Sequence, residues 1–380
     1  RCWARHEEDV ISELVGTVQD AVRAVQPRAW VTPWAYNVHG WAHPDRVAMV
    51  KALPAGVPVF HHIDKDQMYA KPQGYTKACW DYTIDFNGVS DAMRIVSDAA
   101  RESRRGLMVK TETGIGLETI QFPYIPAMQR LAGKWESVRS LSPVGVHQSW
   151  LFLGMFNCRA EALGLWAAYA PDLPAAEFLK QLAVRDFGPA AAGLVVRSWQ
   201  HMSEAMGRLP VLQFNGYYIG PSFLGPCHPL VPKKGMKLSP VFDAFLFYLQ
   251  ELEETFSHKQ IDQTRTCLAI DEIAPWSGLP VPLPGETRSG SQILVDEYVI
   301  GTEEARQALE CLTQAEGVLG TDTDRLNGRE ERVLTEAIYR TIRACTNTAR
   351  FLLARDAGRA DDMRRAAADE RENALAAIPL

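Results

Sequence analysis

The sequence predicts an α/β chain: the C-terminal portion of a (β/α)8 (TIM) barrel over residues 1–170, followed by a mostly helical domain over residues 171–380. Three observations carry that expectation. Four short apolar runs in the first half lack clean alternation, as parallel strands buried on both faces do. Amphipathic stretches separate them, at a repeat of about 30–50 residues that suits successive βα units. After residue 170 the strand pattern stops and helix start and stop signals take over.

The chain opens on a helical pattern in which Val10, Ile11, Leu14, Val15, Val18, Val22 and Val25 share one face. Strand candidates follow at 29–36, 57–63, 107–111 and 144–150, with helical stretches at 45–53, 91–102, 125–131 and 160–169. Four units are half of a barrel whose usual length is about 250 residues. The first residue is Arg1 and not Met, so the expectation is a fragment: an open half barrel of four or five strands, with the other units upstream. A doubly wound sheet ranks lower, because no GxGxxG or P-loop follows any strand candidate.

In the second half, Pro174 and Gly188 bracket one helix. A second spans 189–207, with Leu194, Val195, Trp199, Met202 and Met206 inward. Ser239-Pro240 caps a third. Two more are read at 303–319 and 329–355, and the charge-rich 355–372 reads as a solvated helix. The segment 213–237 is rich in aromatic residues, Gly and Pro. Tyr217, Tyr218, Phe223 and His228 are costly to expose together, so it packs over the barrel mouth or at a subunit contact; the latter leaves a homo-oligomer open.

With 47% hydrophobic and 23% charged residues the chain has the composition of a globular protein. A net charge of −6 argues against nucleic acid or an anionic membrane as partner. The seven Cys are scattered with no CxxC pair, which suits reduced thiols and a cytoplasmic location. No apolar run approaches the roughly 20 residues of a membrane-spanning helix, and no signal-peptide pattern opens the chain. No cofactor is implied. Cys158 and Cys227 have no base at telling spacing and are read as structural thiols.

In a barrel the chemistry sits at the C-terminal ends of the strands. That rule selects Trp34 and Tyr36; His62, Asp64 and Tyr69; Lys110, Glu112 and Glu118; and His147 and Trp150. Asp81 and Asp85 lie between the second and third strands. Aromatic faces stack on sugar rings, and paired carboxylates perform glycosidic acid/base chemistry. Glu112 is the first candidate: it ends an apolar strand and precedes the Gly-containing TGIG loop, with Lys110 and Thr111 placed to tune it. Asp64 leads the candidates for a second carboxylate, ahead of Asp85 and Asp81, and a carboxylate upstream of Arg1 is an equal alternative. The remaining residues, Trp34, Tyr36, His62, Tyr69, Asp85, Lys110, Glu118, His147 and Trp150, are read as binding a small-molecule or oligosaccharide substrate. A metal at His62 and Asp64 is the minor alternative, since His61 and His62 point to opposite faces of a regular strand and cannot both ligate.

The block KTETGIGLETIQFPYIPAMQRLAGKWESVRSLSPVGVHQSWLFLGMFNCRAEALGLWAAY resembles the last two βα units of a glycoside hydrolase barrel. It is similar to uncharacterised bacterial proteins near the family 20 β-N-acetylhexosaminidases. LAVRDFGPAAAGLVVRSWQHMSEAM resembles the helices that follow the barrel in hexosaminidase-like and α-glucuronidase-like enzymes. The resemblance implies hydrolysis of a glycoside. The Asp-Glu pair that family 20 enzymes carry after the fourth strand has no counterpart here; Glu7-Glu8-Asp9 lies in the opening helix, and Trp150 has no Glu nearby. Substrate-assisted cleavage of an N-acetyl sugar is therefore not implied. Three readings result: a glycoside hydrolase using carboxylate acid/base catalysis, a non-catalytic carbohydrate-binding protein on a degenerate barrel, and a metal-dependent hydrolase using His62 and Asp64.

Overall fold

The computed structural model describes residues 5–34, 43–79, 83–114, 116, 118, 122, 124–148, 158–210, 226, 230, 232–233 and 280–378. Helix α1 (Glu7–Val25) packs on α2 (His43–Ala52), which packs on α3 (Asp91–Glu102). Strands β1 (Val59–His62), β4 (Leu107–Thr111) and β5 (Gly145–Gln148) form a parallel sheet in the order β1-β4-β5. Three of the four strand candidates thus form strands in chain order, and the first, at 29–36, contributes a single parallel bridge from Trp34 to Phe60 on the free side of β1. Among the described residues the sheet does not close into a barrel, and β5 is a partly exposed edge.

Ser90 caps α3 by accepting a hydrogen bond from the Met93 amide at 3.1 Å. Helix α4 (Met128–Ser140) is longer than the 125–131 stretch expected. Its buried Met128, Leu131, Ala132, Trp135 and Val138 keep the i, i+3, i+4, i+7 spacing under a polar exterior. A second departure concerns α1. Of its expected inward face only Val15 is buried, while Leu14, Val18 and Val25 are exposed. The cause is geometric: α2 and the turn after it are the main surface that α1 meets among the described residues.

An antiparallel sheet of β2 (Gln67–Lys71), β3 (Tyr75–Cys79) and β6 (Val281–Pro282) was not expected from the sequence. Lys71 pairs with Tyr75 across a three-residue loop, Pro72-Gln73-Gly74. Pro presets the first turn position, and Gly74 takes the left-handed φ of 90° that closes such hairpins.

Beyond α5 (Glu161–Tyr169) the described chain is helical apart from β6. Helix α6 (Ala175–Phe187) and α7 (Ala192–Arg208) form a hairpin, and α7 packs along α8 (Gly290–Glu316). Helix α9 (Asp322–Asp356) starts at a capping box between Thr321 and Asp324, and α10 (Ala360–Ala377) packs on it. Helices α8 and α9 begin earlier than expected: α9 opens on a polar stretch fixed by the Thr321 cap, whereas α8 starts at the Ser289 cap and runs through the buried Ile293, Val295 and Tyr298 before the expected start. The helix expected after Ser239, most of the 213–237 segment and Cys227 lie outside the described residues. Buried apolar side chains form one continuous cluster from Val15 to Ala349, through both halves of the chain.

Candidate active site

The parallel register sets the site. His62 pairs with Lys110, and Lys110 with His147, so these three stand in one row across β1, β4 and β5. Trp34 stacks on His62 with ring centroids 5.3 Å apart, and its ring lies 5.4 Å from Phe60. Phe60 in turn meets His147 at 5.7 Å. One step beyond this row, at the C-terminal ends of β1 and β4, come Asp64 and Glu112.

Those carboxylates belong to a buried chain of alternating charge. The Lys110 ammonium donates to Glu112 Oε1. Lys134, from α4, donates to Glu112 Oε2 at 3.1 Å, to Asp64 Oδ2 at 2.6 Å and to the Thr83 carbonyl. All four side chains are at most 1% exposed. When both carboxyls are ionised, the two ammoniums and two carboxylates leave no net charge, which is how buried ions avoid the cost of standing alone. Along this chain the inner members, Glu112 and Lys134, each face two opposite charges, and the proton affinities diverge. Burial pushes the Asp64 carboxyl above its ordinary range, with Lys134 only partly offsetting it. Burial also acts on Glu112, but Lys110 and Lys134 together outweigh it and hold that carboxyl low. Lys110 is drawn below the usual lysine range by burial, whereas Asp64 and Glu112 more than reverse that effect at Lys134. Asp64 Oδ1 is buried and has no hydrogen-bond partner among the described residues.

A second cluster lies alongside. Asp85 receives Lys71 at 2.7 Å, Lys77 at 3.0 Å, Arg130 at 3.0 Å and the Tyr69 hydroxyl at 2.8 Å. Burial would raise its proton affinity, yet Lys77, Lys71 and Arg130 hold the carboxyl well below the usual range. Lys71 and Lys77 also donate to the Gly207 and Leu209 carbonyls, binding the hairpin to the end of α7. Arg130 reaches Asp85 across Gly207, where an added Cβ would lie 1.7 Å from its Nη2. Glu118 accepts from the Thr83 hydroxyl and from the amides of Ile84 and Asp85. These bonds fix the 83–85 turn that supplies Asp85 and the Thr83 carbonyl.

Of the expected site residues, Trp34, His62, Lys110 and His147 share the strand rows, and Asp64 and Glu112 share Lys134. Tyr69, Asp85 and Glu118 belong to the neighbouring network. Tyr36, Trp150 and Asp81 lie outside the described residues. Lys134 and Arg130 were missed. Their signal was faint but present: both lie on an amphipathic helix, and Lys134 falls on its apolar side, between Leu131 and Val138. Among the described residues no three His, Cys, Asp or Glu gather in a way that could hold a metal, so the metal-dependent reading gains no support there.

His61 and His62 give the site a pH signature. His61 is 1% exposed, and burial, aided by nearby Arg46 and Lys65, lowers its pKa to about 4. Burial lowers His62 as well. An unfolded His takes up a proton below about pH 6.5. The folded His61 refuses it until about pH 4, so its contribution is present above pH 6.5 and is lost as pH falls toward 4. Urea unfolding should therefore show a loss on the order of 3 kcal/mol from His61 alone across that window. A His61→Gln variant should show a flatter pH dependence; an equal slope in both proteins would exclude this origin.

No family model matches the chain, and no curated protein matches it, so the family 20 resemblance finds no support. The fold itself is shared with a solved glycoside hydrolase. That structure is described as a GH138 enzyme targeting pectin rhamnogalacturonan II, and the likeness has a TM-score of 0.53 at 11% identity. The match covers 96% of this chain and 41% of that one, so the chain spans about two fifths of its length.

Proposed function

We propose that this chain carries the saccharide-cleaving face of a glycoside hydrolase. Asp64 serves as the proton donor and Glu112 as the ionised base or nucleophile. The observation that carries this reading is geometric: two buried carboxyls, Asp64 and Glu112, meet on one ammonium at the ends of adjacent parallel strands, and burial raises the first while two lysines hold the second low. Divergent proton affinities in such a pair are how one site holds both an acid and a base near neutral pH. Asp64 Oδ1, which has no hydrogen-bond partner among the described residues, is the atom that would meet the glycosidic oxygen. Trp34, partly exposed and stacked on the buried His62, offers an aromatic face to a sugar ring. The fold likeness to a pectin-directed glycoside hydrolase agrees with this class.

One observation favours the second reading, saccharide binding without turnover. Both Glu112 oxygens already face lysines, and both carboxylates are almost fully covered, so a sugar reaches them only if covering groups move aside. Two measurements on the same protein separate the readings. A panel of 4-nitrophenyl glycosides and pectin-derived oligosaccharides should yield cleavage of at least one member. Calorimetric binding of a saccharide that is never cleaved would favour the binding protein, and neither binding nor cleavage across the panel would overturn both.

A further inference from the structure

We propose that Lys134 is the positioning residue of this site: its ammonium locks Asp64 and Glu112 into one geometry and supplies the charge that lets Glu112 stay ionised inside the protein. This deepens the reading above and rests on it for its catalytic meaning, although the electrostatic part can be tested without turnover.

The argument begins from donors and acceptors. An ammonium has three protons, and those of Lys134 have three acceptors: Asp64 Oδ2, Glu112 Oε2 and the Thr83 carbonyl. The three come from different segments, after β1, after β4 and in the 83–85 turn that Glu118 fixes. Lys134 itself is fixed by α4, whose Leu131, Trp135 and Val138 are buried around it. A rigid helix therefore delivers one charge to the junction of two strand ends. Also acting on the pair are Lys110 on β4, which donates to Glu112, the Thr83 amide, which donates to Asp64 Oδ2 at 3.3 Å, and the Cys79 thiol on β3, which donates to the Asp64 carbonyl at 3.1 Å. His62 and Lys65 flank the row from β1 and the turn after it; His62 feels both Lys110 and Lys134. Without Lys134, two buried carboxylates would share one cation, and like charges so placed cannot both ionise.

The test uses Lys134→Met, which keeps the length and removes the charge, and Lys134→Arg, which keeps the charge. Carboxyl 13C NMR on protein labelled at Asp and Glu reads each protonation midpoint. Lys134→Met should raise the midpoint of Asp64 or Glu112 by more than one pH unit, and Lys134→Arg should return it to within about half a unit of wild type. If Lys134→Met does not fold, the wild-type ammonium serves: its 15N-bound protons should exchange slowly and show coupling to the carboxylates. Unchanged midpoints in a folded Lys134→Met, or a rapidly exchanging wild-type ammonium, would overturn the proposal. On any cleaved glycoside, the acid limb of the kcat/KM profile should shift with the NMR midpoint. Absence of cleavage with the midpoint shift intact would refute the glycosidase reading and leave the electrostatic role of Lys134 standing.

Discussion

Asp85→Ala is expected to destabilise the protein by about 3–5 kcal/mol, the usual cost of breaking a buried ion cluster by removing one sign of charge. Three cations converge on this one carboxylate, and Lys71 and Lys77 are almost fully buried. The carbonyls of Gly207 and Leu209 would still accept from the two lysines, but they carry no compensating charge. Against a typical total of about 5–15 kcal/mol such a loss threatens folding itself. Urea denaturation at pH 7 measures it, with Asp85→Asn as the variant that keeps the shape and one acceptor oxygen but not the charge. A cost under about 1 kcal/mol for Asp85→Ala would show that the cations find other partners. The same residue makes an acid prediction. Its folded carboxyl binds protons more weakly than the unfolded one, so its contribution is complete above about pH 4 and is lost as pH falls below that. Asp85→Asn should remove that part of the acid slope.

Glu112→Gln should lower kcat by more than about 100-fold on whichever glycoside the protein cleaves, since it removes a charge that acid/base or nucleophilic chemistry needs. Saccharide affinity should change little, because recognition would rest on aromatic faces and neutral hydrogen bonds. Near-normal turnover would remove Glu112 from the mechanism. Weakened binding with intact turnover would make it a recognition residue. The variant also leaves Lys110 and Lys134 with one carboxylate between them, so its unfolding midpoint must be measured beside its kinetics. A variant that unfolds in the assay says nothing of catalysis.

The parallel strands were legible because each is a short apolar run ending in polar residues, and Glu112 and Asp64 were found by asking what stands at those ends. What escaped was delivered from elsewhere. Lys134 and Arg130 sit on a helix whose lysines and arginines look solvated in a linear reading, and only the tertiary packing turns them inward. The β2–β3 hairpin carried its own signal, Pro72 and Gly74 between two alternating runs, but a search tuned to buried parallel strands passes over half-exposed ones. The face of α1 erred in the opposite sense: periodicity marks an apolar stripe without saying what covers it. The network role of Glu118 was hidden for a simpler reason, since a carboxylate that accepts backbone amides looks the same in sequence as one that meets a ligand.

The hairpin sets a timetable for synthesis. Thr76 bonds to the carbonyl of Val281, 205 residues further along. At about 5–20 residues per second, a ribosome needs about 10–40 s to make that stretch. Through part of that interval Lys71 and Lys77 have been made while Gly207 and Leu209, their carbonyl acceptors, have not. The nascent hairpin thus waits as an unfinished sheet edge beside half-neutralised ammoniums. A polypeptide released before β6 emerges lacks the strand that completes the hairpin's sheet.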